Sequence, residues 1–161
     1  MRQFLVAAFA VGAVNSVGNV GVRAQAPSAD VQKVDALLAA SKYTATRVNN
    51  PTTAVWTIAR HGTTIGDFKV LVTTEKGIVG AFVIVAPKKD IRRTTDLLES
   101  ILKINYDLDY VKAGFDADSD AYVRIDASLR LLDVQQLNEI VNQLGNCAEA
   151  EYLALKPFLI R

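Results

Sequence analysis

Two side chains suited to proton transfer or nucleophilic attack occur once each: His61 and Cys147. A histidine base needs a second group to orient it, and a zinc site takes three or four protein ligands. No second histidine exists. His61 opens an HGTTIG segment and reads as a loop residue beside Gly62. Pairing with His61 would make Cys147 a nucleophile. Its spacing from Ile140 and Leu144 places it instead on the apolar stripe of a helix, where a thiol packs as a small hydrophobe. Asp116, Asp118 and Asp120 have the alternate-residue spacing that opens a calcium loop. Ala121 stands where that loop needs glycine, and Ala127 where it needs a bidentate glutamate. Aspartate also favours turns by bonding its own backbone, and a turn between strands is the expected role. Gly62, Gly66, Gly77, Gly80 and Gly114 form no nucleotide-binding fingerprint. Trp56 and Phe82 are expected in the core. The chain therefore reads as non-enzymatic, with no catalytic residue, cofactor or metal.

One charged cluster invites a functional role. Lys88, Lys89, Arg92 and Arg93 fall at the expected start of a helix. Cations are unfavourable there because the helix dipole is positive at its N-terminus. These four are the candidate partner-binding residues, for an anionic partner or lipid headgroups. They could equally meet Asp107, Asp109 and the Asp116–Asp120 turn, within one subunit or across a dimer.

The 161 residues are 50% hydrophobic, with 18 basic and 17 acidic side chains. That suits one core, burying roughly 70% of the surface of the unfolded chain, and it excludes the basic surplus of a nucleic-acid binder. The N-terminus has the pattern of a secretory signal: Arg2, then an apolar run from Phe4 to Val14 that is too short to span a bilayer. Cleavage is expected after Ala24, giving a leader over 1–24 and a domain over 25–161. Ala26 is the alternative, although it would leave Pro27 at the new terminus. Loss of Arg2 and Arg23 leaves 16 basic against 17 acidic residues. No later segment reads as transmembrane, so a periplasmic or secreted protein is expected. The lone cysteine forms no internal disulfide.

Periodicity then sets the elements. A first helix is predicted over 28–42, capped by Ser28 or Asp30. A turn follows over Arg47–Thr53. Strands are predicted at Thr53–Arg60, Asp67–Thr74 and Ile78–Ala86, the last two joined by a turn at Glu75–Gly77. The third strand is apolar on both faces, which predicts a central position covered on both sides or at an interface. A second helix is predicted over Asp90–Asn105 with Asp90 as its N-cap. Strands at Tyr110–Phe115 and Ala121–Asp126 flank the aspartate turn. The last helix repeats Val134, Leu137, Ile140, Val141, Leu144, Cys147, Ala148, Tyr152 and Leu155 at helical spacing. Asp133 and Gln136 are spaced as a capping box, and Pro157 ends the helix near Lys156. The order α-βββ-α-ββ-α predicts one α+β domain with a mostly antiparallel sheet packed by helices.

The stretch LLESILKINYDLDYVKAGFDADSDAYVRID over 97–126 is followed by Leu131, Leu132 and Asp133, and by a helix closing on Lys156, Pro157 and Phe158. It resembles the YbjN family of bacterial proteins over roughly Ala29–Leu159. The resemblance implies the fold of type III secretion chaperones and a role described as regulation of sensory transduction. The related chaperones bind extended segments of partner proteins, commonly as dimers; this chain differs from them in its exported leader. The expected function is a protein-binding or regulatory module of the cell envelope, with a protein partner or a second copy bound in a homodimer. The alternative is a small-molecule or lipid carrier with an apolar pocket between helices and sheet.

Overall fold

The structure, a computed structural model, describes residues 28–48 and 54–160. The predicted leader, and positions 49–53 of the predicted turn, lie outside the described residues. Helix α1 (Ala29–Ala40) is capped by the Ser28 hydroxyl, which accepts from Val31 N at 3.3 Å. Strands β1 (Ala45–Val48), β2 (Val55–His61), β3 (Asp67–Glu75) and β4 (Ile78–Ala86) follow. Helix α2 spans Thr95–Asp107, β5 Lys112–Phe115, β6 Ala121–Ser128 and α3 Val134–Leu155. The six strands form one antiparallel sheet in the order β1-β2-β3-β4-β6-β5. The expected α+β architecture holds, with one added strand. Strand β1 is short, polar and mostly exposed, and it exists because β2 pairs with it from Ala45–Ile58 to Val48–Val55.

All three helices lie on one face of the sheet. That face presents Trp56 and Ile58 from β2, Val70 and Val72 from β3, Val79, Ala81, Val83 and Val85 from β4, and Ala121, Val123 and Ile125 from β6. All are buried. Helix α3 supplies Leu137, Val141, Leu144, Ala148 and Leu155 to the same core, α1 supplies Val34 and Leu38, and α2 supplies Leu97 and Ile101. Each buried large aliphatic contributes on the order of 2 kcal/mol. The α3 capping box is present: Asp133 Oδ1 accepts from Gln136 N at 2.8 Å, and Gln136 Oε1 accepts from Asp133 N at 3.3 Å. The β3–β4 hairpin turns through Lys76 and Gly77, both at positive φ, as a two-residue hairpin of right-handed twist requires. Asp30 of α1 pins this turn by accepting from Gly77 N at 2.9 Å.

Helix α2 departs from its predicted start. Thr94, not Asp90, is its N-cap, accepting from Leu97 N at 3.2 Å. Asp90 ends a 3-10 turn over Lys88–Asp90. The segment after it is held by the chain's C-terminal end: Ile91 bridges Leu159, Arg92 N donates to Phe158 O at 2.8 Å, and Ile160 N donates to Asp90 O at 2.8 Å. Those long-range bonds place 91–93 in an extended connection, and the four basic residues precede the helix instead of sitting in its first turn. Among the described residues, no helix is long and apolar enough to cross a membrane.

Candidate protein-binding surface

With α1, α2 and α3 on one side, no described element covers the other face of the sheet. The two-sided apolar character of β4 is thus met by helices on one side and by none of the described elements on the other. Register aligns Leu71, Phe82, Arg124 and Lys112 in one row across β3, β4, β6 and β5. The neighbouring row places Ile84 against Tyr122 and Tyr122 against Gly114. Leu71, Phe82, Ile84 and Tyr122 are each half-buried, and together they make the apolar centre of the open face. Phe82 therefore stands on this surface and not in the core, whereas Trp56 is buried at 2% exposure with its Nε1 donating to Asp35 at 2.7 Å.

Charge borders the apolar centre. Asp126 accepts from Arg124 Nε at 2.6 Å and from Lys112 Nζ at 3.0 Å. Burial alone would raise the Asp126 carboxyl; the two cationic hydrogen bonds outweigh it and hold the group below its ordinary value. Arg124 reaches across β4 because Gly80 has no side chain; a Cβ there would lie 2.8 Å from the guanidinium. Thr73, Thr74, Ile78, Gly80, Arg124 and Asp126 line a shallow depression of about 710 Å³ beside the patch. The other acids of this face are also engaged, Asp67 with His61 at 2.7 Å and Glu75 with Lys76 at 3.3 Å. Lys69, two residues from Leu71 on the same side of β3, has no ionic partner among the described residues. The patch thus carries a cationic surplus.

The two sheet edges differ. At β5, Asn105 of α2 donates to Ala113 O and accepts from Ala113 N, both at 2.8 Å. Its carboxamide imitates a neighbouring strand and closes that edge. Strand β1 is the opposite edge, beside a groove of about 440 Å³ lined by residues including Asp35, Tyr43, Arg47 and Trp56.

The residues singled out in the sequence do not converge. Lys88, Lys89, Arg92 and Arg93 are all exposed at one end of the sheet. None forms an ion pair with Asp107, Asp109 or the aspartate turn. Arg93 lies over the Phe115 ring at 4.1 Å, and Lys88 meets the turn through its backbone N, which donates to Asp120 at 2.7 Å. Asp116 in turn accepts from Asp120 N at 2.9 Å, so the spacing that imitates a calcium loop serves the turn. His61 is the last residue of β2, exposed, with its Nδ1 2.7 Å from Asp67 Oδ1. Cys147 is buried, and burial first, then the nearby Glu151, pushes its thiol up. Sequence reasoning also missed Glu149 and Glu151. Glu149 takes Thr64 N at 2.9 Å and Ile65 N at 3.4 Å from the β2–β3 loop. A Cβ on Gly62 would overlap that carboxylate, so the HGTTIG loop is built around a helix side chain.

No family model matches this sequence, and no curated protein does. Among solved structures, the chain is similar to the heterodimeric ExoU–SpcU complex from the type III secretion system of Pseudomonas aeruginosa. The TM-score is 0.51 at 15% identity, covering 77% of this chain and 98% of the matched one. At that identity the likeness concerns the fold alone: an α+β domain in which helices pack on an antiparallel sheet, like one chain of that complex.

Proposed function

We propose that the protein is an exported, non-enzymatic module of the bacterial cell envelope, akin to the YbjN family, which binds a protein partner on its open sheet face. The observation that carries this reading is the uncovered apolar row on β4. Phe82 and Ile84 occupy the middle of a six-stranded sheet, and no element among the described residues shields them. Exposed apolar surface with a polar border is the general mark of an interaction site. The likeness to one chain of a heterodimeric complex agrees with it. Lys88, Lys89, Arg92 and Arg93 serve in this reading as an electrostatic rim that speeds encounter with an acidic partner. A carrier would need an apolar cavity between helices and sheet; the side chains of that layer are buried to 6% exposure or less and pack against one another, which favours the protein-binding reading.

The test is affinity capture of the mature protein from its host's envelope fraction after mild cross-linking, with the cross-linked residues mapped. A reproducible protein cross-linked to the open face, lost with Leu71→Glu and weakened by K88E/R92E at unchanged melting temperature, is the expected result. A small molecule retained in native mass spectrometry, with no protein cross-link to the face from a partner or a second copy, would overturn it.

A further inference from the structure

Helix α2 carries a second uncovered apolar surface. Leu98, Leu102 and Tyr106 recur at four-residue spacing and are 49%, 69% and 89% exposed; Tyr110, just past the helix, is 88% exposed. The inner side of α2 is satisfied by Leu97 and Ile101 in the core, and this outer stripe faces away from that core. Large apolar side chains exposed in a row on a helix are a cost in water unless something covers them. Residues flanking the stripe are mainly acidic. Asp96, Glu99, Asp107 and, beyond the helix, Asp109 outnumber the single Lys103, and none of the four acids has an ion pair among the described residues.

The open sheet face is the complement of this stripe. Its centre is apolar, its acids are already engaged, and its cationic surplus at Lys69, Arg124 and Lys112 is set around Leu71 and Phe82. We infer that the open face docks helix α2 of a second copy of this chain. The inference rests on the reading of the open face as a protein-binding surface and names its occupant. An aromatic side chain buries on the order of 150–250 Å², so covering two tyrosines and two leucines, both sides counted, brings the contact to roughly 1,000 Å², the threshold of specific pairing. Because the helices and the open face lie on opposite sides of the sheet, one pair of copies does not form both contacts at once and the contact is heterologous: each copy offers one helix and one sheet face.

That asymmetry gives a decisive experiment. Sedimentation equilibrium of the mature protein at micromolar concentration is expected to show concentration-dependent association that weakens with added salt. A helix-side variant (Leu102→Arg with Glu99→Lys) and a sheet-side variant (Lys69→Glu with Arg124→Glu) are each expected to lose association roughly tenfold or more, with unchanged circular dichroism. Mixing the two variants is expected to restore a dimer, since one keeps an intact sheet face and the other an intact helix. Lys69→Glu alone replaces the sheet-side pair if loss of Arg124 unfolds the domain. A wild type that stays monomeric overturns the inference. So does a sheet-side variant that still associates fully, which would mean that α2 pairs with α2. Monomeric wild type together with a different protein cross-linked to the open face would remove this inference and leave the proposed function standing.

Discussion

Glu151 is the one buried charged residue among those described, at 0% exposure, and neither carboxylate oxygen has a hydrogen-bond partner. An ionised carboxylate in such a place is costly, and the usual outcome is a neutral one. Burial pushes Glu151 up from 4.5 to about 8. In the unfolded chain the group ionises near its ordinary value, while the folded protein retains the proton. Stability from this residue is therefore complete below about pH 4.5 and falls as pH rises, by about 1.4 kcal/mol per pH unit until the folded group itself ionises. Urea midpoints between pH 5 and pH 9 are expected to fall for the wild type and to flatten for Glu151→Gln. An equal slope in both proteins would show that the proton is held elsewhere. Spacing alone marks this position: Glu151 lies three residues after Ala148 and four before Leu155, on the buried stripe of α3.

At the scale of elements, α3 and β4 were legible and β1 and α2 less so. Helix α3 starts and stops at residues whose local chemistry dictates it, Asp133 with Gln136 and then Pro157. Strand β4 keeps its predicted span, since nine residues between a turn glycine and Pro87 leave little choice. By contrast, β1 has no pattern of its own and depends on β2. The start of α2 moves from Asp90 to Thr95 because residues 91–93 bond to the tail at Phe158 and Leu159, a contact that no local window contains. The same helix guards the sheet. With Asn105 bound to both polar groups of Ala113, the β5 edge is closed to another strand, as natural sheets require of their edges. Asn105→Ala is expected to cost about 1 kcal/mol and to accelerate hydrogen exchange at the Ala113 amide. Unchanged exchange there would mean that the bond does not protect the edge.

At the scale of the whole molecule, the proposed leader would set where any partner must be found. Removal after Ala24 gives a mature chain beginning at Gln25, and after Ala26 one beginning at Pro27. Intact-mass measurement of protein recovered from the periplasm is expected to show the first form. Protein of full length, 17.5 kDa, found only with membranes would mean an uncleaved tether and would place the binding face at a membrane surface.

The sequence by itself determined the α+β class, the long C-terminal helix and the antiparallel hairpins, because these follow from short-range periodicity, capping and turn chemistry. It also determined that β4 is apolar on both sides. Only the tertiary structure decided that all three helices cover the same side, leaving Leu71, Phe82, Ile84 and Tyr122 open, and that Leu98, Leu102 and Tyr106 turn outward on α2. An apolar residue has the same local preference whether a helix of its own chain, a partner or water meets it. Which of these it meets is settled by contacts between residues far apart in the chain.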